Sequence, residues 1–346
     1  MPNHLKFFSH ISKSDVAIAG GKGASLGEMS KAKIPVPRGF VVLASAFDRF
    51  LEETDLNAEI KARLKEVNPE DTNSVDKASN VIRDTIHDHE MPKDLAEEIL
   101  KAFDELCTTS PLPAGRPSPS KGEGAYVAVR SSATAEDSAV ASWAGELETY
   151  LNTTRENVVE RVKNCWSSLF TPRAIFYRHE KKLIDHYVSV AVVIQKMIQS
   201  EISGIAFTVH PVTEDYDQMI IEAGFGLGEA IVSGQITPDS YIVSKSQMSI
   251  VDINVGMQTR KLVKSVKSVK SKVHKVVKND DFANEWVEIG SEGEKQKLSG
   301  KQIIEVAKVC KRIEDHYGFP CDIEWAMEGG KIYITQSRPI TTLKKV

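Results

Sequence analysis

At 346 residues, with 41% apolar and 27% charged side chains, the chain has an ordinary globular composition and enough length for two or three subdomains with substantial cores. Its net charge of −4 gives no general reason to expect nucleic acid or an anionic membrane as partner. No apolar run approaches the ~18 residues of a membrane span, and the N-terminus lacks a basic-then-apolar signal. Cys107, Cys165, Cys310 and Cys321 include no CxxC pair, so they read as free thiols in a cytoplasmic protein.

In chain order, Gly20-Gly21-Lys22-Gly23 sets one lysine among glycines and then begins a helical pattern. Glycine backbone approaches a phosphate closely, and a helix N-terminus adds positive potential. The spacing is not that of a Walker A loop, because Val16 and Gly23 stand where Gly and Ser/Thr are required. A flexible turn with a solvated lysine is the alternative. Residues 34–42 are extended, since Pro35 and Pro37 each bias their predecessor away from helix. Helical patterns follow over about 45–64 and 74–106, the second interrupted at Met91-Pro92. Residues 108–124, rich in Pro, Ser and Gly, read as an insertion within a domain.

A buried-type strand over 126–130 ends in Arg130, residues 131–138 form a small-residue loop, and a strand resumes over 143–151. Arginine at a strand end followed by hydroxyls and backbone N–H groups suits a polyphosphate; pairing of Arg130 with Glu136 or Asp137 is the equal alternative. Residues 161–182 read as a helix broken or kinked at Pro172. The apolar run 190–198 reads as a strand buried on both faces. There Gln195 and the adjacent backbone suit an adenine edge with Met197 packed on the ring, unless Met197 is simply core. His210, before Pro211, reads as a loop residue. The glycines of 224–228 lead to Glu229 where a dinucleotide fingerprint needs Gly, so a Rossmann fold is not supported. Glu222 and Glu229 are either substrate-facing or solvated. The basic, Val-interleaved residues 260–278 read as a solvated edge strand or loop.

A helix with Ser299 as N-cap and Gly318 as its C-terminal stop leads into residues 319–339, two strands joined at Glu328-Gly329-Gly330. Asp322, Glu324 and Gln336 offer oxygen ligands of the kind hard divalent cations take, and Arg338 suits a phosphate. Because side chains alternate faces, a two-residue loop sets Glu324 opposite Thr335, whereas a three-residue loop sets it opposite Ile334 or Gln336. The shared metal site therefore predicts an odd-length loop. A surface hairpin with solvated charges is the alternative.

Taken in order, GGKGASLGEM, VPRGFVV, VRSSATAEDS with WAGELETYLN, VVIQKM with SGIAFTVHPVT, EAGFGLGEAIVSG with TPDSY, and DIEWA with TQSRPI span nearly the whole chain. They resemble the ATP-binding domain of the phosphoenolpyruvate synthase (pyruvate, water dikinase) and pyruvate phosphate dikinase family. The resemblance implies an α+β, ATP-grasp fold whose two subdomains clamp ATP, expected at 1–190 and 191–341 with a tail at 342–346. It implies Lys22, Arg130 and Arg338 on the phosphates, Gly145 and Thr149 in a phosphate-covering segment, Gln195 and Met197 at the adenine, and Glu324 and Gln336 on Mg²⁺. It also implies transfer to a histidine on a separate swivelling domain and a pyruvate-binding barrel elsewhere. None of the nine histidines of this chain sits in the family's Thr-Ser-His setting. The activity implied is the ATP half-reaction of a dikinase. The alternatives are a regulatory ATP-binding module and the ATP domain of a rifampin-type phosphotransferase.

Overall fold

The computed structural model describes residues 4–108, 126–134, 147–183, 188–265 and 284–343. Contacts within the chain divide it into two units, Met1–Glu28 with Arg38–Met197, and Met29–Pro37 with Ile198–Val346. Both are built of helices and antiparallel sheet, the α+β class expected.

The first unit contains β1 (Leu5–Phe7), most of α1 (Val16–Lys31), β2 (Gly39–Val42), α2 (Ala44–Glu53), α3 (Leu56–Lys65), α4 (Thr72–Asp88), α5 (Lys93–Thr108), β3 (Val127–Ala133), β4 (Thr149–Thr153), α6 (Val158–Ser167), α7 (Pro172–Glu180) and β5 (Val190–Lys196). Its sheet has the order β1-β2-β5-β3-β4. One face carries Phe40, Val42, Val127, Val129, Val192 and Ile194 into a core shared with α2 to α7. Phe47 and Phe50 pack on Trp166 at the centre of that core, with ring centroids 5.5 and 5.2 Å apart. The alternating residues Val41 and Val193 are buried on the opposite face, where Gly23 of α1 comes close to Val41.

The second unit contains β6 (Ile202–Phe207), β7 (Gln218–Phe225), α8 (Glu229–Val232), β8 (Asp239–Ser244), β9 (Ser249–Asn254), β10 (Arg260–Lys264), β11 (Asn284–Glu288), α9 (Gly300–Tyr317), β12 (Cys321–Glu328) and β13 (Lys331–Pro339). Its main sheet has the order β13-β12-β6-β7-β8-β9. Helix α9 is capped by Ser299, which shares a reciprocal capping box with Gln302, and ends at Gly318 with φ +76°. It buries Ile303, Val306, Ala307, Cys310 and Ile313. The sheet face it covers includes Met327, whose sulfur accepts from Gln302. Gly204 is required on that face: a Cβ there would lie 2.5 Å from the Trp325 ring and 1.8 Å from the Glu222 carbonyl oxygen. Beneath it all, Lys297 and Asp239 form an ion pair at 2.9 Å with no side-chain exposure. Asp239 also accepts from the Tyr241 hydroxyl and the Gly256 N–H, so its lone pairs are satisfied as a buried carboxylate requires.

Several local expectations change. The helix over 45–64 is two helices, because Asp55 takes φ +55° between α2 and α3. Strand β3 continues through Ser131, Ser132 and Ala133, where a loop was expected, because the serine hydroxyls find partners inside the unit. Pro172 starts α7 instead of kinking a longer helix, its missing N–H costing nothing at the first turn, with Thr171 Oγ1 accepting from the Ala174 N–H. Residues 109–125, most of the Pro/Ser-rich insertion, lie outside the described residues, as do 266–283 of the basic stretch. The described part of that stretch, β10, pairs with β11, and Arg260 stacks on Trp286 at 4.1 Å.

The hairpin of β12 and β13 needs a correction. Its loop is Gly329-Gly330, two residues, since Glu328 pairs with Lys331. Both glycines have positive φ (57° and 72°), as a tight primed turn demands. An odd loop was predicted in order to bring Glu324 opposite Gln336. That pairing is present, but a register shift produces it: Trp325 pairs with Ile334 and Glu324 with Gln336, leaving Thr335 as an extra residue in β13.

Candidate functional site

In the first unit the polar candidates share one face of the sheet. Arg130 pairs with Thr149 on one side and Val193 on the other, and Gln195 pairs with Ala128. Period-two alternation therefore puts Arg130, Thr149 and Gln195 together on the face opposite the six-helix core. Arg130 is half-buried and Thr149 exposed. Gln195 is only 2% exposed, and its side-chain Nε2 has no hydrogen-bond partner among the described residues. Met197 follows the strand, half-buried, with its N–H donated to the Tyr126 carbonyl. Gly145 lies outside the described residues.

Lys22 belongs to the same unit and owes its setting to a break in α1. Gly20 has φ 69° and ψ 171°, so the helix restarts immediately after it. A restarted helix has orphan N–H groups that a capping side chain normally satisfies. Glycine has none, and Ser132 of β3 supplies the hydroxyl: Oγ accepts from the Gly23 N–H at 3.2 Å and donates to the Ala19 carbonyl at 2.9 Å. A Cβ on Gly20 would lie 2.2 Å from that hydroxyl oxygen. The Lys22 turn is thus stapled to the strand that bears Arg130 two residues earlier. Ser132 was not singled out from the sequence, because a cap supplied from so far along the chain leaves no local pattern.

In the second unit Gln336, Glu324, Ile205, Glu222 and Ser240 form one row across β13, β12, β6, β7 and β8. The next row begins with Arg338, Asp322 and Phe207. Both rows lie on the face away from α9, since the alternating residues Ile323, Trp325 and Met327 are the ones buried with the helix. Gln336 is 8% exposed and Asp322 half-buried, so these are not the side chains of a solvated hairpin. Arg338 Nε donates to Asp322 Oδ2 at 2.8 Å, and Nη2 stands 2.7 Å from the same oxygen. Burial pushes the Asp322 carboxyl above the usual carboxylate range, with Arg338 pulling the other way. Burial also raises Glu222, helped by the charge of Asp322. Glu229 instead accepts from the Asn284 side chain at 2.9 Å, and His210 Nδ1 accepts backbone N–H groups of its own turn.

Residues 16–346 match the family described as the pyruvate phosphate dikinase AMP/ATP-binding domain, and the chain belongs to that family of ATP-binding domains. Among curated relatives it is 47% identical over 344 residues to a probable phosphoenolpyruvate synthase of Methanocaldococcus jannaschii, covering 99% of this chain and 27% of that one. It is also 47% identical to the probable phosphoenolpyruvate synthase of Archaeoglobus fulgidus, over 98% of this chain and 42% of the relative. To the phosphoenolpyruvate synthase of Pyrococcus furiosus it is 41% identical, over 99% and 44%. The chain thus spans less than half the length of these relatives. Among solved structures, a D-alanine–D-alanine ligase from Helicobacter pylori aligns with 70% of this chain and 47% of its own at 10% identity, with a TM-score of 0.27, too slight a likeness to bear on the fold. No helix among the described residues is long and apolar enough to cross a membrane.

Proposed function

We propose that this chain binds Mg-ATP in an ATP-grasp manner and performs the ATP half of a phosphoenolpyruvate synthase reaction. In that half a phosphoryl or pyrophosphoryl group passes to a histidine on a separate swivelling domain, which serves a pyruvate-binding barrel; both would lie outside these 346 residues, on another polypeptide or on a further segment of the same one. What carries the reading is the cross-strand setting of Glu324 beside Gln336, and of Asp322 beside Arg338, on the sheet face away from α9.

The residues fit the groups the family implies. Gln195 holds a buried amide nitrogen with no partner among the described residues, and such a donor gains free energy when a ring nitrogen or carbonyl of a ligand meets it. Lys22 and Arg130 are the cations for the phosphates, and Arg130 can grip two oxygens at once. Thr149, across from Arg130, adds a hydroxyl; Gly145, outside the described residues, keeps the phosphate-covering role that the resemblance implies. Among the described residues no three His, Cys, Asp or Glu side chains gather as a metal site by themselves. Glu324 and Gln336 offer two protein oxygens, which suits a Mg²⁺ that takes its remaining ligands from phosphate and water. When bound, the cation offsets negative charge on the phosphate oxygens. Arg338 is held by Asp322 in a position from which it supplies a further positive charge. The buried free thiols Cys165, Cys310 and Cys321 are consistent with a cytoplasmic protein.

Incubation with Mg-ATP, with and without a separately supplied histidine domain of the family, tests the proposal. AMP and phosphohistidine are expected only in the mixture. Retained ATP binding with no transfer would replace the transfer reading with that of a regulatory module.

A further inference from the structure

Among the described residues, strand β4, which carries Thr149, is the edge of its sheet and pairs with β3 alone. Its ladder is short and irregular: the register shifts between the Val127 and Val129 pairs, and Asn152 nearby takes φ +51°. An edge strand held only by such a ladder is prone to slip, and a slip of one residue would turn Thr149 to the helix-covered face.

Glu148, the residue before the strand, is held at both of its ends. Its carbonyl accepts from the Ser131 N–H at 3.2 Å and from the Ser131 hydroxyl at 3.0 Å. Its carboxylate accepts from Arg83 Nη2 through both oxygens, at 3.0 and 3.3 Å, and from the Tyr150 hydroxyl. Arg83 comes from α4, and the Tyr150 ring lies 4.9 Å from the Arg161 guanidinium of α6. Both helices belong to the core on the face opposite Arg130. The clamp therefore reaches β4 from the far side of the sheet and fixes which of its residues face which way.

We propose that Glu148 is a positioning residue for the phosphate end of the nucleotide site, pinning β4 in the register that sets Thr149 directly across from Arg130. The inference rests on the nucleotide reading above. Titration calorimetry of the full chain with Mg-ATP and, separately, with adenosine tests it on Glu148→Gln, Arg83→Ala, Tyr150→Phe and Glu148→Asp, with a thermal melt of each to verify folding. Glu148→Gln and Arg83→Ala should weaken Mg-ATP about tenfold while adenosine affinity stays within about twofold, because Gln195 and Met197 belong to β5 and its end. Tyr150→Phe should show a smaller loss of the same kind, and Glu148→Asp should recover part of it. Should Glu148→Gln fail to fold, Arg83→Ala and Tyr150→Phe read the same clamp from its other members. Folded variants that bind Mg-ATP like the wild type would overturn the inference, as would a loss shared equally by ATP and adenosine. A wild-type chain that binds neither ligand would overturn the nucleotide reading and the inference with it.

Discussion

The two sheets present polar rows by different means. In the first unit a core drawn from six helices backs the sheet, and its polar face is set by long-range attachments: Ser132 caps the Lys22 turn, and Arg83 reaches Glu148 from a helix. In the second unit, among the described residues, α9 is the long helix on the sheet, with the short α8 beside β6, and the row of Glu324 and Gln336 is set within a single hairpin by a two-residue turn and one extra residue. A thick core can hold irregular strands in place from behind. The second sheet has register shifts of its own, in the β12–β13 and β8–β9 ladders, and relies on a few strong internal links, of which the buried pair of Lys297 and Asp239 is the clearest.

The largest effect that would break this contrast is expected at that pair. Lys297→Met leaves Asp239 buried without its counter-charge and should cost about 3–5 kcal/mol, read as a lowered urea midpoint; an unchanged midpoint would remove the pair from the account of the second sheet. Gly20→Ala comes next, at about 1–3 kcal/mol, since the new methyl must displace the Ser132 hydroxyl and accept a positive φ. A weakened Mg-ATP affinity should accompany it, and retained affinity would separate the Lys22 turn from nucleotide binding. Deleting Thr335 is a subtler probe. The extra residue goes, Glu324 stays opposite Gln336, and Mg-ATP affinity should fall by no more than about threefold, whereas Gln336→Ala should lose about tenfold; equal losses would mean that the bulge itself shapes the site. The smallest effect is a pH dependence within the first core. Burial, with Lys163 and Arg83 nearby, lowers the pKa of His87, so the unfolded chain takes up this proton at higher pH than the folded one. The contribution of His87 is present above its ordinary pKa and declines as pH falls through that value toward the folded one. Urea midpoints between about pH 7.5 and 5.5 should slope less in His87→Asn than in the wild type.

Much of the architecture was legible because it rests on local pattern. The valine-rich run of β5, the Ser299 cap and the Gly318 stop are each written within a few residues. The hairpin shows the limit of such reading. Face parity correctly required an odd count of intervening residues if Glu324 and Gln336 were to meet, but parity can be changed in the turn or along the strand. Nothing in Ile334-Thr335-Gln336 marks a bulge in advance; β12 pairs with β6 on its other side without a break, and the shift is confined to the β13 ladder. Pro172 was legible as an interruption but not as a start, since the cap at Thr171 decides between them. Lys297, one of many lysines in the sequence, gave no sign of its partner: Asp239 lies 58 residues away, and only the fold brings them together. The attachments of Ser132 and Glu148 escaped for the same reason.

The break at Gly20 has a consequence for how the Lys22 turn can open. The staple it depends on joins residues 109 and 113 positions apart in sequence, whereas Glu324 and Gln336 meet across one hairpin. Closing a loop of the first kind costs more chain entropy, and β3 is itself seated by β5, a strand drawn from still further along the chain. The turn bearing Lys22 therefore carries the larger loop-closure cost, and a local opening that frees Ser132 would leave that turn without its staple while Glu324 and Gln336 stay paired.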